Sequence, residues 1–135
     1  MSAFSFPVRV YYEDTDSGGV VYYANYLRFM ERARTEWLRA LGFELDELSR
    51  EEGVVFAVRR ANIDFAKATR FNELLEVTVE PTKYGKASIM VNQQVLRDGE
   101  PVCTGEIQLA CVDRDSFMPK PIPAPIVEKL KSKDR

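Results

Sequence analysis

Thirteen consecutive residues, Asp14-Thr15-Asp16-Ser17-Gly18-Gly19-Val20-Val21-Tyr22-Tyr23-Ala24-Asn25-Tyr26, place two carboxylates, a glycine pair and a tyrosine cluster in one short stretch. The pattern predicts a carboxylate at the end of a strand, a two-glycine loop, and then the start of a long amphipathic helix. Unpaired N–H groups and a partial positive charge at a helix N-terminus can polarise a carbonyl oxygen and tolerate a carboxylate beside it. Such a junction reads as an acyl-transfer site. The same spacing also suits a turn with an acidic cap.

The chain contains no histidine. Within one chain this excludes a Ser-His-Asp triad, a Cys-His pair, a histidine-ligated metal and an Asp-His hydratase dyad. A general base must then be a carboxylate, or a Lys, Tyr or Cys of perturbed pKa. Because an ordinary carboxylate is a weak base at neutral pH, the substrate should be intrinsically electrophilic, with a leaving group that departs without a strong proton donor. Thioesters meet both conditions and amides do not.

The elements that position these residues are visible as periodicities. Val8, Val10 and Tyr12 alternate with Arg9 and Tyr11, which predicts a strand leading into the loop. From Asn25 to Leu41, Tyr26, Met30, Ala33, Trp37 and Leu41 recur at helical spacing, with Leu27, Phe29 and Leu38 widening the stripe. Gly42 supplies the stop. The polar face offers opposite-sign pairs such as Arg32 with Glu36. A short helix over Asp46–Glu51, closed by Gly53, precedes four strands, Val54–Phe65, Leu74–Lys83, Ala87–Leu96 and Val102–Val112. Arg97-Asp98-Gly99-Glu100 and Tyr84-Gly85-Lys86 are hairpin turns, so these strands should be antiparallel. Pro119, Pro121, Pro123 and Pro125 form an extended tail, followed by an amphipathic arm over Ile126–Lys133 whose Lys129, Lys131 and Lys133 read as a solvated tail. The expected class is α+β, one sheet curled around one central helix.

A chain of 135 residues with 45% apolar side chains fits one domain with a sizeable core, here taken as 1–135 with the proline-rich tail and short helix over 118–135. A net charge of −2 argues against a nucleic-acid footprint. No apolar run approaches the ~18 residues of a bilayer span and no leader precedes Phe4, so the expected location is cytoplasmic. Cys103 and Cys111 fall on one strand, roughly 26 Å apart at full extension, too far for a disulfide within the chain. Both read as buried, reduced thiols. Neither histidine nor a cluster of ligands marks a metal site.

Arg9-Val10-Tyr11-Tyr12-Glu13-Asp14-Thr15-Asp16 through Tyr26, followed by Glu31-Arg32-Ala33-Arg34-Thr35-Glu36-Trp37-Leu38-Arg39, resembles the hotdog-fold acyl-CoA thioesterases of the 4-hydroxybenzoyl-CoA thioesterase superfamily. Within it the chain is most similar to the thioesterases encoded beside the Tol-Pal envelope system. The likeness runs from Pro7 to about Val127. It implies a hotdog fold, an antiparallel sheet wrapped around a long helix, with two sheets paired edge to edge. It further implies active sites at the dimer interface, and often dimers of dimers that make a homotetramer.

By the family motif, Asp16 is the catalytic carboxylate, as nucleophile or as the base that activates water. The amide at the start of the helix, at or near Tyr23, serves as oxyanion contact, with Gly19 as a second candidate for oxyanion or substrate binding. Asp14 is expected to structure the loop, Glu13 to be solvated and Glu31 to carry no chemistry. The Tol-Pal-associated members usually have histidine where this chain has Tyr23, a departure that bears on the acyl group more than on the reaction. The resemblance implies an acyl-CoA or acyl-carrier-protein thioester as substrate, with coenzyme A part of that substrate and no separate cofactor. Arg59, Arg60, Lys67, Arg70, Lys83 and Lys86 are the possible phosphate partners. A scaffold that docks acyl carrier protein and phospholipid enzymes is the alternative function.

Overall fold

The computed structural model describes residues 4–133, and the remaining ends of the 1–135 span, with the side chain of Lys133, lie outside that description. Strand β1 (Phe4–Arg9) is followed by a single 3-10 turn over Tyr12–Asp14 and then by helix α1 (Asn25–Ala40). A short helix α2 (Leu45–Glu47) continues into a wide turn over Leu48–Glu52, after which come β2 (Val54–Phe65), β3 (Leu74–Tyr84), β4 (Ser88–Arg97), β5 (Glu100–Asp113) and α3 (Ala124–Lys133). The five strands form one antiparallel sheet in the order β1-β3-β4-β5-β2.

Helix α1 lies across one face of the sheet. Its buried residues Tyr26, Phe29, Met30, Ala33, Trp37 and Leu38 repeat at three- and four-residue intervals and meet the inward side chains of β3, β4 and β5, including Leu75, Val77, Ile89, Val91 and Ile107. Each fully buried large side chain there contributes about 1.5–3 kcal/mol. Gly105 on β5 allows the close approach of α1, since a Cβ at that position would lie 2.7 Å from Ile63 Cδ1 and 3.2 Å from Met30 Cε.

The pairing of β2 with β5 slips between Val58 and Arg60, leaving Arg59 as the extra residue of a bulge. Side chains alternate faces along a strand, so one inserted residue switches the parity. Before the bulge Phe56 and Val58 oppose Cys111 and Leu109, and after it Ala61, Ile63 and Phe65 oppose Ile107, Gly105 and Cys103, so these five residues share the helix side of β2 across the bulge.

Four expectations are corrected. The first strand ends at Arg9, and Tyr12 is exposed, its ring stacked on Phe71 with centroids 3.7 Å apart. The cause is Asp14, whose Oδ2 accepts the Tyr11 N–H at 2.8 Å and closes the chain into a turn. Leu27 lies outside the buried stripe of α1. Glu36 pairs with Arg39 rather than Arg32, and Arg39 Nε also reaches Glu44 at 3.0 Å. The C-terminal helix begins at Ala124 and docks, with Ile126 and Leu130 buried in the core beside Ile122.

Candidate active site

Residues 14 to 22 form a small closed loop between β1 and α1. Thr15 bridges Val21, Tyr22 N–H donates to the Asp14 carbonyl at 3.0 Å, and Asp16 N–H donates to the Val20 carbonyl at 2.9 Å. At the tip, Gly19 N–H returns to the Asp16 carbonyl at 3.0 Å, with Gly19 at φ +80°. This left-handed conformation costs a residue with a Cβ about 1–2 kcal/mol, which is why glycine suits the position.

The tip holds the Asp16 carboxylate in a fixed attitude. Its Oδ1 accepts the Gly18 N–H at 2.8 Å, and among the described residues Oδ2 meets no donor. Asp16 is exposed in the single chain. Asp14 uses its side chain on Tyr11 and its carbonyl on Tyr22 and on Asn25 Nδ2, the latter at 2.9 Å, so it builds the loop, while Glu13 is exposed.

The start of α1 is left open. Ala24 occupies the cap position with no capping side chain, and the first turn carries no acidic residue. Asn25, Tyr26 and Leu27 donate their amides to the carbonyls of Tyr22, Tyr23 and Ala24. The amides of Tyr23 and Ala24 donate to no acceptor among the described residues. Helix N-termini normally satisfy such groups with a Ser, Thr, Asp or Asn cap. Here the Asn25 side chain is turned back to Asp14. Gly19, by contrast, has its amide engaged within the loop.

An aromatic surface adjoins this opening. The Tyr23 ring lies 5.0 Å from that of Tyr22 and meets Phe65 edge-on at 5.6 Å, and Phe65 also sits 5.9 Å from Tyr26. Tyr22, Tyr23 and Phe65 are all exposed. Tyr26 is buried, its hydroxyl 2.7 Å from Thr69 Oγ1, and burial pushes its pKa above the ordinary value, so it stays protonated at neutral pH. Neither Phe65 nor Thr69 carries a motif that the sequence could have signalled.

The cations considered for the cofactor portion of a substrate are not gathered at one place. Arg70 bridges Val20 and so stands against the loop, and Lys67 lies close by in chain, paired with Glu100 at 3.3 Å. Lys83 and Lys86 flank the β3–β4 turn, at the opposite end of β3 from Leu74, which pairs with Arg9 where β1 enters the loop. At about 3.3 Å per residue that end is roughly 30 Å away. Arg59 and Arg60 sit midway along β2.

Cys103 and Cys111 are buried and unpaired, and burial pushes their thiols up to about 12 and about 11. No described helix is long and apolar enough to cross a membrane.

A long helix laid on an antiparallel five-stranded sheet is the architecture of the hotdog-fold thioesterases. Residues 10–130 match the model of the thioesterase-like superfamily. The chain is 43% identical over 122 residues to the acyl-CoA thioesterase YbgC of Haemophilus influenzae, covering 90% of each chain. It is 39% identical over 129 residues to the acyl-CoA thioester hydrolase YbgC of Escherichia coli O6:H1, covering 95% of this chain and 96% of that one. A probable thioesterase from Bartonella henselae superposes with a TM-score of 0.87 at 32% identity, over 90% of this chain and all of that one. The chain belongs to the thioesterase-like superfamily.

Proposed function

We propose that this enzyme hydrolyses acyl-CoA thioesters with Asp16 as its working carboxylate and the Tyr23 and Ala24 amides as the contact for the thioester oxygen. The observation that carries the assignment is a carboxylate oxygen at the tip of one closed loop and two helix-start amides where that loop ends, none of them hydrogen-bonded among the described residues. Hydrogen-bond donors fixed in advance at the place where negative charge develops are a large source of rate enhancement. As the thioester carbon becomes tetrahedral, its oxygen gains charge facing those amides. Asp16 Oδ2 either attacks that carbon, giving a mixed anhydride that water opens, or takes a proton from the water that attacks it. The thiolate leaves without needing a strong acid, which suits a chain with no histidine.

The acyl part is read as lying against Tyr22, Tyr23 and Phe65, and the phosphates of coenzyme A as meeting Arg70 and Lys67. Supporting the substrate class are the YbgC relatives, which are acyl-CoA thioesterases by name. An acyl-carrier-protein thioester presents the same carbonyl and is the competing substrate. The unpaired thiols fit a reducing, cytoplasmic setting.

We further infer a homodimer built through β2, or a dimer of two such dimers. Both β1 and β2 are edges of the sheet, but β1 has six residues including Pro7, which lacks an N–H, whereas β2 offers twelve residues without proline. Val58 and Phe65 are exposed on that strand in the single chain. An uncovered edge of this length calls for pairing. Light scattering should give a mass of two or four chains, and a monomer at micromolar concentration would contradict the interface. Thiol release from a panel of acyl- and aryl-CoA thioesters tests the reaction. A kcat/KM below about 10³ M⁻¹s⁻¹ on every member, under the usual enzyme range, would favour a docking scaffold instead.

A further inference from the structure

We propose that Thr69 is a positioning residue for hydrolysis, tying the start of α1 to the Asp16 loop so that carboxylate and open amides keep a fixed separation. The inference rests on the reading of Asp16 and those amides given above. Bonds from Tyr22 N–H and Asn25 Nδ2 to the Asp14 carbonyl tie the base of the loop to the helix start, while its tip carries two adjacent glycines.

The segment from Ala66 to Asn72 is exposed at every residue except Thr69, which is fully buried. A buried hydroxyl costs about 1–3 kcal/mol unless it is paired, so its place needs an account. The hydroxyl and the carbonyl of Thr69 are both used, and they point to different halves of the site. Its Oγ1 meets the Tyr26 hydroxyl, 2.7 Å away in the first turns of α1, and its carbonyl accepts the Val21 N–H at 2.8 Å. Arg70 then bridges Val20, whose carbonyl accepts the Asp16 N–H at 2.9 Å. On the helix side, Tyr26 N–H donates to the carbonyl of Tyr23 at 3.2 Å. Hydrogen bonds joined through the covalent chain of Val20–Val21, Thr69 and Tyr26 therefore connect the Asp16 backbone N–H to the Tyr23 carbonyl.

The platform that carries Thr69 is itself fastened to the sheet. Arg97, at the end of β4, donates to the Ala68 carbonyl at 3.0 Å and pairs with Glu73 at 3.1 Å. Val10 N–H donates to Glu73 at 2.9 Å and Asn72 N–H donates to Val10 at 2.8 Å. Thr69 thus adds, from outside the loop, a second reference against which the two parts of the site are set. Misplacing reacting groups by about 1 Å can cost on the order of 10²-fold in rate.

The test compares kcat and KM for thiol release across Thr69→Val, Thr69→Ser, Tyr26→Phe, the Thr69→Val/Tyr26→Phe double variant, Asp16→Asn and Asp16→Asn/Thr69→Val, with thermal unfolding of each. Thr69→Val and Tyr26→Phe should each lower kcat by about 10- to 10²-fold with KM within about twofold. The double variant should be no slower than either single one, because the same link is removed once. Thr69→Ser, which keeps the hydroxyl, should stay within about threefold of the parent. In the Asp16→Asn background, Thr69→Val should add no further loss. If Thr69→Val does not fold, the near-isosteric Tyr26→Phe carries the same comparison. Parent-like kcat in Tyr26→Phe or a folded Thr69→Val, with Asp16→Asn inactive, overturns the proposal alone. A further drop in the Asp16→Asn background also overturns it. Asp16→Asn at the parent rate overturns the carboxylate reading first, and the positioning role with it.

Discussion

Substitution of Gly19 by alanine separates the two things the loop must do, hold its own shape and hold Asp16. Gly19 sits at φ +80°, and a Cβ built on it would meet nothing within 4 Å, so the cost of alanine is entirely backbone strain. A left-handed residue with a side chain costs about 1–2 kcal/mol. Stiffening the unfolded chain returns about 0.4–1 kcal/mol. The net is about 1 kcal/mol, or roughly 3–5 °C in Tm for a chain of this length. If the loop keeps its form, Tm falls by that amount and kcat is retained. If the residue escapes to negative φ, the bond from its N–H to the Asp16 carbonyl breaks, the carboxylate shifts, and kcat falls while Tm holds. Gly19→Asn, which tolerates the left-handed region better, should show a smaller version of the same change. Thermal unfolding by circular dichroism alongside thiol release reads both quantities. Gly19→Ala with Tm within about 1 °C and kcat within about twofold of the parent would refute the reasoning.

Tyr23→Phe should keep most activity if the backbone amide is the working group, and a loss on the order of 10²-fold in kcat would assign the phenol a proton-transfer role instead. Leu130→Ala should destabilise the protein by about 2–5 kcal/mol in denaturant unfolding, and a change under about 0.5 kcal/mol would mean that α3 is undocked in solution. Because the folded pKa values of Cys103 and Cys111 are raised to about 12 and about 11, their linked stabilisation is complete below the ordinary thiol value of 9.0 and is lost as pH climbs toward those values. Thiol reagent at pH 8 should leave both untouched in the native protein and label both in urea, and rapid native labelling would contradict their burial.

The parts of the fold written in local periodicity were legible from the chain alone. The buried stripe of α1, four of the five strands and the Asp98-Gly99 turn, with φ values of 53° and 83°, all follow from spacing and turn chemistry. What could not be read depended on partners distant in sequence. Alternation through Tyr12 promised a longer first strand, but the Asp14 carboxylate takes the Tyr11 amide and turns the chain. The bulge at Arg59 appears only when β2 is set against β5. Arg39 lies within reach of Glu36 and of Glu44 beyond the helix end, so it displaced the Arg32 pairing. The arm over Ile126–Lys133 read as solvated because nothing local shows that Ile126 and Leu130 find the core. At the site, the Asp16–Gly19 loop and the helix start were legible as a motif. Thr69 was not, since a threonine between Ala68 and Arg70 signals nothing until its hydroxyl meets Tyr26 across 43 residues of chain.

The central claim is that the Asp16 carboxylate performs the hydrolysis, and Asp16→Asn tests it most directly. The amide oxygen can still accept the Gly18 N–H that now meets Oδ1 at 2.8 Å, so the loop should fold as before while the negative charge is gone. With acyl-CoA as substrate, kcat should fall by at least about 10²-fold with Tm and KM little changed, as expected for the loss of a group that acts mainly in the transition state. Asp14→Asn is the internal control, expected to lower stability and rate modestly together. Asp16→Asn turning over acyl-CoA at the parent rate would contradict the account.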